Sequence, residues 1–116
     1  MKIISFAWTT EALLQGKKTQ TRRFWKDSYA KQFKKGEMVQ AYDKNPRAGG
    51  KIVAFIRLTK DPYQQHLSDM TVENFEAEGG TMYWSCLFDF QFAMKQQKKG
   101  LKPWVLEFEL LRVVNQ

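Results

Sequence analysis

The chain is short of the residues that build metal and disulfide sites. It holds one cysteine, Cys86, and one histidine, His66. A lone cysteine has no partner for an internal disulfide, and one thiol with one imidazole falls short of a structural zinc site. No metal and no cofactor is expected. Long apolar runs are missing too. None approaches the roughly 18 residues that cross a bilayer. The opening Met1-Lys2-Ile3-Ile4-Ser5-Phe6 reads as a strand rather than a secretory signal. The expectation is therefore a protein of the cytoplasm with no membrane partner. Three scattered prolines, no repeat and no Ser/Pro-rich linker leave nothing to mark a boundary. Residues 1–116 read as a single domain, and a monomer is expected.

Acidic residues are also scarce, and unevenly so. The net charge is +7. Residues 1–60 carry 14 Lys and Arg against 4 Asp and Glu, and residues 61–116 carry 5 against 8. A basic half beside a mildly acidic one suggests a surface for an anion, and phosphate is the commonest such partner. What the chain has in quantity is aromatic residues, 15% of the total. These bury large areas and argue against disorder.

Ile3–Trp8 is β-branched and aromatic and predicts a strand. Thr9 or Thr10 can cap a short helix through Gln15, with Gly16 just past its end. Lys17–Arg23 follows as an exposed connection or short strand. Asp27 or Ser28 starts a second helix carrying Tyr29, Ala30 and Phe33, and Gly36 stops it. Met38–Tyr42 predicts a strand, and Asn45–Gly50 a loop of breaker residues. Lys51–Thr59 is apolar through Ile52–Ile56, which predicts a central strand covered on both faces. Thr71 caps a helix over Val72–Glu78, closed by Gly79-Gly80. Met82–Gln97 predicts a longer helix. Trp104–Val114 alternates as a final strand, with Trp104, Leu106, Phe108 and Leu110 on one face. Strands and helices do not alternate strictly, so a doubly wound sheet is disfavoured. An α+β fold, a small twisted sheet closing into a partial barrel with helices over its ends, fits the order better.

The segment richest in chemistry is Gly16-Lys17-Lys18-Thr19-Gln20-Thr21-Arg22-Arg23. Eight residues hold four cations and two hydroxyls. Lys and Arg attract phosphate at range, and Thr hydroxyls give short oriented hydrogen bonds. In an extended chain Thr19, Thr21 and Arg23 share one face and Lys18, Gln20 and Arg22 the other. The same composition also suits a solvated turn. Trp8, Tyr42, Tyr83 and Trp84 can stack on a base or fill a core. Trp8 is the best placed, at a strand end beside the basic segment. Arg47 and Lys51 flank the Asn45–Gly50 loop and can clamp phosphate. Glu73 and Glu76 suit the polar face of a helix, His66 a loop, and Cys86 apolar packing.

Gly16, Lys18, Thr21 and Arg23 fit the pattern G-x-K-x-x-T-x-R, and here the chain resembles the ASCH domain family, relatives of the PUA RNA-binding domain. Other parts agree in order: Ile4-Ser5-Phe6-Ala7-Trp8 before a short helix, Lys35-Gly36-Glu37 before a strand, Met70-Thr71 with Ala77-Glu78-Gly79, and the closing Trp104-Val105-Leu106-Glu107-Phe108. The resemblance spans nearly the whole chain except Tyr83–Phe92. It implies a small PUA-like mixed β-barrel with helices covering its ends. The basic segment would meet the helix ending at Glu78 in a cleft for RNA or a modified nucleoside. The family's small bacterial members include amidohydrolases that deacetylate acetylcytidine through a Lys, a Thr and a Glu. Carried over, these fall on Lys18, Thr21 and Glu78, with Lys17, Arg22 and Arg23 supplying positive potential.

The chemistry has its own demands. A Thr hydroxyl needs a nearby base, and a Lys serves as one only if its pKa falls from about 10.4 toward 7 or 8. Neighbouring cations and burial push it down, whereas a paired Glu78 holds it up. The sequence leaves that balance open. It also leaves open a non-catalytic module for single-stranded RNA and a metal-independent ribonuclease.

Overall fold

The computed structural model describes residues 1–114. In chain order they form β1 (Ile3–Ser5), α1 (Thr10–Leu14), β2 (Gln20–Arg23), α2 (Asp27–Ala30), β3 (Met38–Tyr42), β4 (Ile52–Leu58), β5 (Tyr63–Gln64), α3 (Val72–Ala77), α4 (Leu87–Gln96) and β6 (Trp104–Val113). Short 3-10 turns lie at Ala7–Thr9, Pro46–Ala48, Leu67–Asp69 and Gly80–Met82. No described helix is long and apolar enough to cross a membrane.

The long strand β6 organises the sheet by changing partners along its length. Its second half pairs antiparallel with β4, Phe108 opposite Leu58 and Val113 opposite Ala54. Its first half pairs antiparallel with β2 on the other edge, Leu106 opposite Thr21, and with the short β5. β3 joins β4 antiparallel, and β1 joins β3 in parallel. The order is β1-β3-β4-β6-β2, with β5 beside β6. Register shifts at Ala41/Tyr42 and Phe55/Ile56 interrupt the ladders, and irregularities of this kind increase local bending and twist.

The sheet curls into a half-barrel and not a closed barrel. β1 and β2 remain its two edges, with no strand pairing between them among the described residues. A side chain spans the seam instead: Arg23 Nη2 donates to the Ser5 carbonyl at 2.7 Å. Both residues are the last of their strands.

The inner face of the sheet is apolar as the alternation predicts. Ile4, Val39, Ala41, Ala54, Ile56, Leu58, Leu106 and Phe108 are buried together with Leu13 of α1 and Phe33. A second, smaller cluster of Leu67, Met70, Phe75, Phe90 and Met94 joins α3 to α4. β4 is central, between β3 and β6, but only its Ala54-Ile56-Leu58 face is fully covered. Arg57 on the other face is exposed, and Phe55 there lies beneath the Arg112 guanidinium.

Three elements depart from expectation. The first strand ends at Ser5, because Ala7 adopts φ +47° and turns the chain into the Ala7–Thr9 turn. Thr9 secures that turn by donating its hydroxyl to the Phe6 carbonyl at 2.6 Å rather than capping α1. α2 is a single turn that ends at Ala30, so Phe33 packs from beyond it. The helix expected over Met82–Gln97 begins at Leu87, since Cys86 before it is fully extended. By contrast Thr71 caps α3 as expected, in a reciprocal box with Asn74.

Candidate functional site

Backbone contacts bring the basic segment to the end of α3. After α1, Gly16 at φ +73° reverses the chain, and the Lys17 and Lys18 amides both donate to the Ala12 carbonyl. The Thr19 amide then donates to the Ala77 carbonyl at 2.7 Å, while the Thr19 carbonyl accepts from Phe108 at 2.9 Å. Thr19 is thereby pinned between α3 and the sheet, which sets Lys18 beside Glu78 at the C-cap of α3. Gly79 next to it sits at φ +107°, a conformation in which a Cβ would lie 3.0 Å from the Tyr83 ring.

Glu78 is the hub of a buried ion cluster. Lys18 Nζ donates to Glu78 Oε1 at 2.8 Å and to the Glu78 carbonyl at 3.0 Å. Arg22 Nη1 donates to Glu78 Oε2 at 2.9 Å and to Gln20 Oε1 at 3.0 Å. Arg22 Nη2 donates to Gln65, and Gln65 in turn donates to Asn74 of α3. The side chains of Lys18, Arg22 and Glu78 are 3%, 0% and 5% exposed. Arg22 Nε is buried with no partner among the described residues.

Along the same strand Thr21 and Arg23 form a second pair. Arg23 Nε donates to Thr21 Oγ1 at 3.1 Å, and the guanidinium stacks on Phe6 at 5.6 Å. The expected division of β2 into two faces is thus present, Lys18-Gln20-Arg22 around Glu78 and Thr21-Arg23 toward β1.

Both sets border one cleft of about 470 Å³. Lys18, Thr21, Arg22, Arg23 and Glu78 supply its polar wall. Trp8, Trp84, Phe90 and Met94 supply much of its apolar wall. Trp8 is 64% exposed, and its ring meets Tyr83 and Trp84 edge to face at 5.0 and 5.1 Å. The Tyr83 hydroxyl accepts from the Ala12 amide at 3.1 Å, tying the aromatic group to α1.

The charges around the cleft do not balance. Lys18, Arg22 and Arg23 face one carboxylate, so full ionisation leaves an excess of positive charge in a poorly solvated place. Burial is the largest influence on Lys18 and pushes its pKa below the ordinary 10.5. Glu78 opposes the shift, and Arg23 and Arg22 add to it. Burial also lowers Arg23, with Glu78 opposing. A guanidinium stays charged regardless, so the adjustable proton is on Lys18. An amine that burial makes easier to deprotonate, a hydroxyl with an acceptor site already occupied by Arg23, and fixed guanidinium charge are suited to acyl transfer.

The other sequence candidates lie elsewhere. Lys17 is exposed and does not border the main cleft. Lys51 is exposed too, and its amide donates to Asp43. Arg47 lines a separate hollow near β1. Arg22 borders the main cleft, but its fork is engaged by Glu78, Gln20 and Gln65. It contributes field there rather than a free phosphate clamp, because the end of α3 covers its face of β2. The sequence reading missed Gln20, Gln65 and Asn74 as braces. The one available signal was that Gln20 shares a strand face with Lys18 and Arg22. It also missed the contribution of α4 to the cleft wall, since that aromatic segment looked equally suited to a core. Among the described residues no group of three or more His, Cys, Asp and Glu is placed to hold a metal.

No family model matches the chain, and no curated protein matches it. The fold is similar to the crystal structure of protein EF3133 from Enterococcus faecalis V583, of the family model DUF984, with a TM-score of 0.61. The two are 21% identical over 95% of this chain and 74% of that one, a likeness that concerns the fold alone.

Proposed function

We propose that the protein is an ASCH-type, PUA-like hydrolase that removes an acyl group from the exocyclic amine of a modified nucleoside such as acetylcytidine. The observation that carries this reading is the buried Lys18 amine, its pKa lowered by burial and its Nζ bonded to Glu78, on the wall of a cleft that Thr21 also lines. Support also comes from the G-x-K-x-x-T-x-R pattern, whose Lys and Thr are two of these residues.

In this mechanism the base stacks against Trp8 and its acetamide reaches the polar wall. The Thr21 hydroxyl adds to the carbonyl carbon as the Lys18 amine takes its proton. Positive charge from Arg23 stabilises the oxyanion. The adduct collapses, the C–N bond breaks, and the Lys18 ammonium returns the proton to the departing amine. Water then attacks the acetyl ester on Thr21, with Lys18 again taking the proton. Cytidine and acetate leave, and Thr21 regains its hydrogen. Glu78 holds the Lys18 amine in place throughout and, with Arg22, keeps it out of solvent.

The test is incubation of pure protein with acetylcytidine. Cytidine and acetate are expected from the natural protein and not from Lys18→Ala. Absence of turnover by the natural protein would overturn acetylcytidine as substrate. The excess positive charge favours one further reading, a binding module for single-stranded RNA. That module would lose affinity steeply between roughly 50 and 200 mM salt. Turnover of a neutral nucleoside would not.

A further inference from the structure

A second hollow of about 360 Å³ adjoins the main cleft, and three residues line both: Ser5, Arg23 and Trp25. Its far side is made by Tyr29 and by Arg47 in the Pro46–Ala48 turn. Arg47 is exposed, and the Asn45 side chain that caps this turn accepts from the Arg47 amide at 2.8 Å, fixing the backbone from which the guanidinium projects. Trp25 and Tyr29 meet edge to face at 4.8 Å and give the hollow an aromatic flank.

The charge here is one-sided. Two guanidiniums and no carboxylate line the hollow. Arg23 bonds Thr21 through Nε and the Ser5 carbonyl through Nη2, and its Nη1 has no hydrogen bond among the described residues. Two guanidiniums lining one hollow, one of them with Nη1 still available, match a tetrahedral oxyanion, which offers several acceptors to planar forks.

Resting on the hydrolase reading above, we propose that this hollow is a phosphate subsite, and that the substrate is a nucleotide rather than a free nucleoside. The base occupies the main cleft and its phosphate passes the seam between β1 and β2 to lie between Arg23 and Arg47. The phosphate belongs either to a mononucleotide or to an RNA chain. Position explains the division of labour. Arg23 serves both compartments, whereas Arg47 lines only the second and recognises phosphate without touching the acyl group.

Binding separates this proposal from catalysis. Dissociation constants are measured by tryptophan fluorescence for cytidine, its 5′- and 3′-monophosphates and a short oligocytidylate, with natural protein and with Arg47→Ala. At least one phosphorylated ligand is expected to bind about tenfold or more tighter than cytidine, the scale of a charge-assisted hydrogen bond. Arg47→Ala should bring that ratio close to one. A mononucleotide preference points to free nucleotides, and a preference for the oligomer alone points to RNA. Equal affinity for nucleoside and nucleotide, an advantage that survives Arg47→Ala, or no binding of any ligand overturns the subsite. Acetate release from acetylcytidine without a phosphate preference would sink the subsite and leave the hydrolase standing. An Arg47-dependent preference without acetate release would do the reverse.

Discussion

Lys18 is held by Glu78 twice, through the carboxylate at 2.8 Å and through the backbone carbonyl at 3.0 Å. The second contact does not depend on the charge of Glu78. The amine can therefore keep its position while its ion pair is shared with Arg22.

Replacing Glu78 with Gln leaves Lys18 and Arg22 buried without their counter-charge. Removing one partner of a buried pair costs about 3–5 kcal/mol. Urea denaturation of Glu78→Gln should show a loss of that order, with the slope of the transition unchanged. A loss under about 1 kcal/mol would mean that water reaches the cluster.

The lowered pKa of Lys18 predicts pH dependence with a definite sign. The unfolded chain binds a proton at this lysine up to about 10.4, and the folded chain releases it earlier. The contribution of Lys18 to stability is therefore full above the unfolded value and is lost as pH falls through the folded one. Relative to Lys18→Met, the natural protein should gain stability as pH rises across that interval. Acetate release should rise along the same limb, with its midpoint below 10.5. A midpoint at or above 10.5 would remove Lys18 as the base.

Thr21 lies under the Arg23 guanidinium and is 3% exposed. Thr21→Val preserves the shape and deletes the nucleophile, so acetate release should vanish while the folded state persists. Thr21→Ser should retain a measurable fraction of the rate. Equal rates in Val and Ser variants would show that water, not Thr21, attacks.

Trp8 is mostly exposed, and its removal should leave the core intact. A stacked base loses roughly 1–3 kcal/mol when its aromatic partner is deleted. Trp8→Ala should raise KM about fivefold or more and change the melting temperature little. An unchanged KM would place the base elsewhere in the cleft.

Gly79→Ala forces a side chain into φ +107° and sets its Cβ 3.0 Å from Tyr83 and 3.2 Å from Ala12. Residues held in such conformations cost about 1–3 kcal/mol each. Thermal unfolding should register a destabilisation of that size. The variant should also turn over more slowly, since the same shift moves Glu78.

Much of this architecture is legible in the order of residues. Alternation in Trp104–Val113 and Met38–Tyr42, the Thr71 cap and the glycine after α1 each act within a few residues, so local physics declares them. Two-residue periodicity also sorts Lys18, Gln20 and Arg22 from Thr21 and Arg23. What local pattern could not declare was charge pairing across the chain. Arg22 reads as a solvated cation until the end of α3 covers it with Glu78, 56 positions away. The seam between β1 and β2 was equally hidden, because it depends on how far the sheet curls. That curl sums the small twists of every strand, and a sum of that kind exists only in the folded molecule.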